Sequence, residues 1–313
     1  MKALRHEIME SPMTTEEAPP NAETPPCGAA ASAADSAIGA PRVPTLVIEG
    51  GKALRGFDFR DLWAHRDLLY FLAWRDVKVR YKQTAMGVAW VILQPLLTMA
   101  IFTVLFGRLA KVPSDGEPYP IFVFAGLLPW TYFNQAVTTA SNSLVGNAAL
   151  ITKVYFPRLV IPAAAVCAGL VDFAISASIM FLMAFHYGMP FGASLLLIPP
   201  LMALTALFAL CVGMWMSALN VKYRDVRYAL PFLLQIWMYL TPIIYPLKFI
   251  PERWRWLLAL NPLSGMIQAF RAAVFGRAID WSGLGLACAM TAVFLIAAGW
   301  SFRRMERQFA DIV

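Results

Sequence analysis

Asp172 is the one carboxylate that lies well inside a long apolar segment of this 313-residue chain. In a membrane protein an ionisable side chain at such a position is a candidate for function, for example as a proton relay in an ion-coupled transporter. A relay needs a second acid or base nearby, and the apolar segments offer none. The sequence therefore favours Asp172 as a buried, neutral or hydrogen-bonded acid that packs helices together.

Other residue types that carry chemistry form no evident site. The three histidines and four cysteines have neither metal-ligand spacing nor a CxxC pair, so we expect no metal and no catalytic residue. The sequence contains no G-x-x-x-x-G-K-[ST] loop to hold nucleotide phosphates, so we expect no cofactor in this chain. The loop acids Asp115, Glu117, Glu252 and Asp280 are dispersed, whereas glycan hydrolysis uses paired carboxylates.

The composition indicates a multi-span membrane protein. Hydrophobic residues make up 59% of the chain and charged residues 14%, and the mean hydropathy is +0.60. Six apolar segments bounded by charge are predicted to cross the membrane, at 87–107, 119–142, 160–186, 193–219, 228–245 and 283–301. The net charge of +7 suits loops beside anionic membrane lipids rather than nucleic acid, since the basic residues cluster at segment ends.

Two parts precede the first apolar segment. Residues 1–44 are rich in Pro and Ala and have no apolar run, which predicts a disordered cytosolic tail. Residues 45–85 are predicted to be a cytosolic segment with an amphipathic interface helix on the membrane surface. Residues 86–313 are the predicted six-span permease domain. Five residues of the interface helix share one face: Trp63, Tyr70, Trp74, Val77 and Tyr81.

Lys and Arg are distributed unequally between the alternate connections. Thirteen lie on the side of the N-terminus and seven on the other side, so the positive-inside rule places both termini in the cytosol. The connection at 246–282 is semi-apolar, with Trp254, Trp256 and Asn261-Pro262. We interpret it as a re-entrant helical pair in the outer leaflet. The predicted fold class is an all-α integral membrane protein with six transmembrane helices, an N-terminal interface helix and a re-entrant pair before the last span.

Short motifs occur in a fixed order from about residue 60 to 313. They are RDVKVRYK at 75–82 with Gly87, QPL at 94–96, GLLPW at 126–130, LITKVYFPR at 150–158, SALNVKYRD at 217–225, TPIIYP at 241–246, NPL at 261–263, FR at 270–271 and FRRME at 302–306. In order and spacing this set resembles the permease subunit of type-2 ABC exporters for polysaccharides. That group moves lipid-linked O-antigen, related capsule chains and teichoic acids.

The resemblance implies two copies of the chain and two separate ATP-binding subunits, on which ATP and Mg²⁺ are bound. Energy then reaches the permease through contacts with that partner, and fixed charges on cytosolic elements are suited to such contacts. The predicted ATPase-coupling residues are Arg75, Asp76, Arg80, Lys153, Arg158, Arg224 and Asp225. The alternative is that these charges anchor lipid head groups, although anionic lipid would not attract the carboxylates of Asp76 and Asp225.

A polysaccharide path needs aromatic surfaces for the C–H faces of sugar rings and polar groups for their hydroxyls. The second apolar segment has both kinds of side chain and no charge. The predicted path residues are Trp130, Tyr132, Phe133, Gln135, Thr138 and Asn142. The alternative is that the aromatic residues anchor the membrane interface and that the polar ones join helices.

We therefore predict the transmembrane subunit of an ATP-driven exporter that moves a lipid-linked polysaccharide from the cytosolic to the outer side of a bacterial inner membrane. Its partners would be a second copy of itself, two copies of an ATP-binding subunit, the lipid-linked polysaccharide and membrane lipids, without nucleic acid. One alternative is an ion- or proton-coupled secondary transporter, and another is a membrane-embedded glycan-processing enzyme. Paired intramembrane charges or an internal repeat would favour the first of these.

Overall fold

The structure is a computed structural model that describes residues 63–82, 87–154, 156–189 and 192–312, except for the side chains of Lys248 and 306–312. These residues belong to one compact unit, Lys52–Val313. They form helices and loops, with no β-strand among them, which agrees with the predicted all-α class. The predicted tail at 1–44 and the start of the predicted 45–85 segment lie outside the described residues.

The helices follow one another along the chain with short connections. Their bounds are α1 (Arg66–Lys82), α2 (Gly87–Phe102), α3 (Tyr119–Gly146), α4 (Ala148–Lys153), α5 (Val160–His186), α6 (Ile198–Lys222), α7 (Val226–Leu240), α8 (Glu252–Ala259), α9 (Pro262–Val274) and α10 (Trp281–Ile312). A π-helical turn, Thr103–Leu109, continues α2, and the 3-10 turn Ala193–Leu197 leads into α6.

Proline and glycine mark several helix ends. Pro120, Pro199 and Pro262 stand in the first turns of α3, α6 and α9, where a missing N–H costs no hydrogen bond. Gly188 follows α5 with a φ of 66°, and Gly276 follows α9 with a φ of 63°. Glycine adopts this left-handed conformation without a Cβ clash, so both positions suit a helix end.

The core lies around α3, which packs mainly against α5 and α6 and also contacts α9. Phe133 of α3 stacks on Phe208 of α6 with ring centroids 5.4 Å apart. The two helices approach closely because position 213 has no side chain: a Cβ on Gly213 would lie 2.7 Å from the Cβ of Ala140. Close backbone approach at small residues is a common way for membrane helices to associate.

Four helical segments of the described chain are long and apolar enough to cross a membrane. They are Gly87–Leu109, Val160–His186, Ala193–Lys222 and Trp281–Met305, and they coincide with four of the six predicted spans. The predicted segment 119–142 forms α3, which is long but carries many polar residues. The predicted segment 228–245 is helical only to Leu240. At Thr241 the backbone is extended, and Pro242 follows.

Helix α1 turns different faces to the bundle and away from it. Leu72 is buried, and α1 packs chiefly against α5. Trp63, Tyr70 and Trp74 are exposed. Exposed aromatic residues such as these are suited to a membrane interface. The position of α1 on the membrane surface stays a prediction.

Candidate functional site

The C-terminal end of α3 is a meeting point for elements that are distant in sequence. Arg75 of α1 donates from Nη2 to the side-chain oxygen of Asn147, which follows α3, at 3.0 Å. The same nitrogen is 2.8 Å from the carboxylate of Asp76. Because Asp76 holds the guanidinium in place, Arg75 can join α1 to the end of α3 with a defined geometry.

Helix α6 reaches the same place through Asn220, which is almost fully buried. Its side-chain amide donates to the main-chain oxygen of Ser141 at 3.0 Å and to Oδ1 of Asn142 at 3.2 Å. Both acceptors lie in the last turns of α3. We call the group Arg75, Asn142, Asn147 and Asn220 the polar junction.

The polar junction brings together the three segments that the sequence singles out for ATPase coupling. Helix α1 contributes Arg75 and Asp76, helix α4 continues from α3 to the exposed Lys153, and the loop after α6 carries Arg224 and Asp225, both exposed. These segments therefore lie at one end of the bundle. Arg158 is half-buried in the loop before α5. Binding of an ATPase by these residues stays a prediction.

Arg80 has a different environment from the other predicted coupling residues. Its Nη1 donates to Oδ2 of Asp172 in α5, and the hydroxyl of Tyr81 donates to Oδ1 of the same carboxylate. Burial and the hydrogen bond to Asp172 both raise the pKa of Tyr81. Asp172 is therefore a hydrogen-bonded acid that joins two helices, as the sequence favours. The partner was not evident from sequence because α1 reads as a surface helix.

A cavity of about 430 Å³ lies between α2, α3 and α5. Arg80 and Asp172 are part of its wall, and so are Trp90 and Gln94 of α2. Its volume is in the range of small-molecule sites. Two predicted path residues, Tyr132 and Gln135, also line it.

The other predicted path residues do not line this cavity. Trp130 and Phe133 are 2% and 0% exposed, and Phe133 packs edge-on against Trp237 at 5.3 Å. Asn142 donates to the main-chain oxygen of Thr138 at 2.9 Å and belongs to the polar junction. In this chain these residues serve the packing of α3, and their role in a path stays a prediction.

At the opposite end of α3, Arg271 contacts residues from several of the sequence motifs. The motifs themselves do not predict these contacts. Arg271 is buried, and its guanidinium donates to the main-chain oxygens of Pro242, at 2.9 Å, and Ile243. It lies 3.9 Å from the ring centroid of Phe122, a distance typical of cation–π contact. Gly126 leaves the space that the guanidinium occupies.

Asn261 fixes the other side of the same turn. Its side-chain oxygen accepts from Trp237 Nε1 at 3.1 Å and from the main-chain N–H of Leu263 at 3.2 Å, and its amide donates to the Thr241 hydroxyl at 2.9 Å. We refer to Arg271, Gly126, Asn261 and the 241–246 turn as the Arg271 cluster. Four separate motifs thus meet in one buried structure. The sequence signal for this cluster is Arg271, the one charged residue of α9.

Within the described ranges, no group of three or more His, Cys, Asp or Glu side chains could hold a metal ion. The polar junction and the Arg271 cluster consist of hydrogen bonds between helices and turns. Such arrangements position elements and transmit contact, and they provide no nucleophile or general base for catalysis.

Comparison with known proteins identifies the family. The model of the ABC-2 type transporter family matches residues 67–275. An O-antigen export system permease of Myxococcus xanthus is 30% identical over 259 residues, which cover 81% of this chain and 98% of the relative. A Klebsiella pneumoniae permease of the same description is 30% identical over 249 residues, covering 79% and 95% of the two chains.

More distant similarity extends to a polysialic acid transport protein of Escherichia coli. It is 23% identical over 202 residues, which cover 64% of this chain and 78% of the relative. These matches confirm the resemblance that the ordered motifs predict. The chain belongs to the ABC-2 type transporter family, as a membrane-spanning transport subunit rather than an enzyme.

Proposed function

We propose that this chain is the transmembrane subunit of an ATP-driven exporter that carries a lipid-linked polysaccharide across the bacterial inner membrane, from the cytosolic to the outer side. Three relatives are named for O-antigen export or polysialic acid transport. The observation that carries the proposal is the polar junction, which collects three charged segments at one end of the bundle. A permease without a nucleotide-binding loop needs a surface on which an ATP-hydrolysing partner can act, and these charged segments offer one.

Six spans with both termini in the cytosol fit this function. Helix α3 is 28 residues long, which corresponds to about 42 Å and is enough to cross. Helix α7 has 15 residues, or roughly 22 Å, and the buried turn at 241–246 continues it. Irregular backbone at membrane depth is tolerated where protein satisfies its carbonyls, and Arg271 does so here.

The working unit in this proposal has two copies of the chain and two ATP-binding subunits, with ATP and Mg²⁺ on the latter. Exposed apolar side chains of α2 and α7, such as Trp90, Tyr228 and Phe232, suit contact with lipid or with the second copy. Lys153, Arg224 and Asp225 would contact the ATPase directly, while Arg75, Asp76 and Arg158 would shape the same surface. The cavity beside Tyr132 and Gln135 supports a path along α3.

The test is ATP-dependent transport by membrane vesicles that contain the chain together with its ATP-binding subunit. Radiolabelled lipid-linked polysaccharide should become protected in inverted vesicles when ATP is added, and an ionophore should leave the rate unchanged. Transport that collapses with the ionophore would instead support an ion-coupled transporter. Absence of ATP-driven transport in a correctly assembled complex would overturn the proposal.

The coupling surface can be tested in the same vesicles. Arg224→Glu should lower ATP-driven transport or co-purification of the ATP-binding subunit, because reversed charge at a contact weakens partner choice. Arg253→Glu is a matched control, since Arg253 is also exposed but lies in the short helix α8, within the connection predicted to be on the outer side. Equal effects of the two variants would show that Arg224 has no specific role in coupling.

A further inference from the structure

Asp172 holds two consecutive residues of α1 with one carboxylate. Oδ2 accepts from Arg80 and Oδ1 accepts from Tyr81. Consecutive residues project about 100° apart around a helix, so contacts to both restrict the rotation of α1 as well as its position. The side chains of Arg80 and Asp172 are 25% and 16% exposed, so solvent competes only partly for the ion pair. We call Arg80, Tyr81 and Asp172 the α1 clamp.

The α1 clamp lies far along α5. Asp172 is twelve residues after Val160, where α5 begins, which corresponds to about 18 Å along the helix. Arg75, five residues before Arg80, makes a second polar contact of α1, at the polar junction. Besides its apolar packing on α5, helix α1 thus has polar contacts both at the coupling surface and within the bundle.

We propose that Asp172 is a positioning residue that transmits movement of α1 to the membrane-spanning bundle, and so links ATP hydrolysis to transport. This inference rests on the proposed function. With the clamp closed, a push on the Arg75 end of α1 moves α5 and the cavity wall that Asp172 shares. With the clamp broken, α1 stays packed on α5 through apolar side chains such as Leu72, but no polar contact fixes its rotation relative to α5.

The ratio of polysaccharide transported to ATP hydrolysed measures this directly in the reconstituted complex. Asp172→Asn keeps the volume but removes the charge that pairs with Arg80. It should lower the ratio roughly tenfold, because a neutral amide holds the Arg80 guanidinium less firmly than a carboxylate does. Tyr81→Phe keeps the ion pair and should have a smaller effect. Co-purification of the ATP-binding subunit should persist in both. Ser178→Ala is a control on α5, since Ser178 is exposed and its hydroxyl donates to the main-chain oxygen of Ile175 in the same helix.

A covalent link between α1 and α5 can distinguish a positioning role of Asp172 from any other role of its charge. In a background without native cysteines, Tyr81→Cys and Asp172→Cys together should uncouple the complex, and a short thiol-to-thiol crosslinker should restore transport per ATP. A wild-type ratio in Asp172→Asn, or crosslinking that fails to restore transport, would overturn the inference. If the wild-type complex itself showed no ATP-driven transport, the proposed function would fail instead, so the two failures are distinguishable.

Discussion

Replacing Gly126 with alanine should break the Arg271 cluster. A Cβ at this position would overlap Nη2 of Arg271 and would lie 3.1 Å from the main-chain oxygen of Ile243. Ordinary heavy-atom contact is about 3.5 Å, so the guanidinium must shift by roughly 1 Å. That shift would lengthen the 2.9 Å bond to Pro242 beyond hydrogen-bonding range. A hydrogen bond from a charged donor contributes about 1.5–3 kcal/mol, so losing one or both should destabilise the fold by roughly 2–5 kcal/mol.

Gly146→Ala provides a matched control on the same helix, since a Cβ there would meet no atom within 4 Å. Unfolding can be followed by tryptophan fluorescence as SDS is added to the protein in mixed micelles. Gly126→Ala should unfold at a clearly lower SDS fraction than the wild type, and Gly146→Ala should not. Equal midpoints for the two variants would refute the reasoning, because the cluster could then absorb the added methyl group without loss.

Three further outcomes are expected. Cysteines placed at Glu252 and Ala278 in a cysteine-free background should both react with an impermeant reagent from outside, and reaction only from the cytosol would reverse the topology. Asp280→Ala should lower stability by about 1 kcal/mol, because the Asp280 carboxylate accepts from the first turn of α10. The Ser282 hydroxyl lowers the pKa of Asp280. This contribution should therefore be fully present above the unfolded-state pKa of an aspartate, about 3.9, and fade as the pH falls through the lower folded-state pKa, as acid unfolding would show. Gly213→Ala should cost about 1–3 kcal/mol through overpacking against α3, measured by the same SDS titration.

The membrane class and most helices could be predicted from the sequence because they depend on local properties. Hydropathy over about 20 residues determines whether a segment suits the hydrocarbon core, and prolines at 120, 199 and 262 mark helix starts wherever the chain is placed. The order of the motifs was sufficient to indicate the family, and the matching relatives confirm it. The extent of α7 was less predictable, since its break at Thr241 depends on Arg271 and Asn261 satisfying the turn that follows.

Contacts between distant residues required the tertiary structure. The sequence identifies Asp172 as unusual but does not show that Arg80, 92 positions away, supplies its charge partner. Likewise, the polar face of α3 reads as one surface, yet Gln135 lines a cavity while Asn142 bonds to Asn220 of α6. The helical period of a sequence predicts which residues share a face. Only the packing of neighbouring helices decides whether that face contacts a cavity or another helix. By itself, then, the sequence determined that this is a membrane protein, where most of its helical segments lie and which family it belongs to. The tertiary structure decided which charged side chains are paired, because pairing depends on distances in space that the order of residues along the chain does not encode.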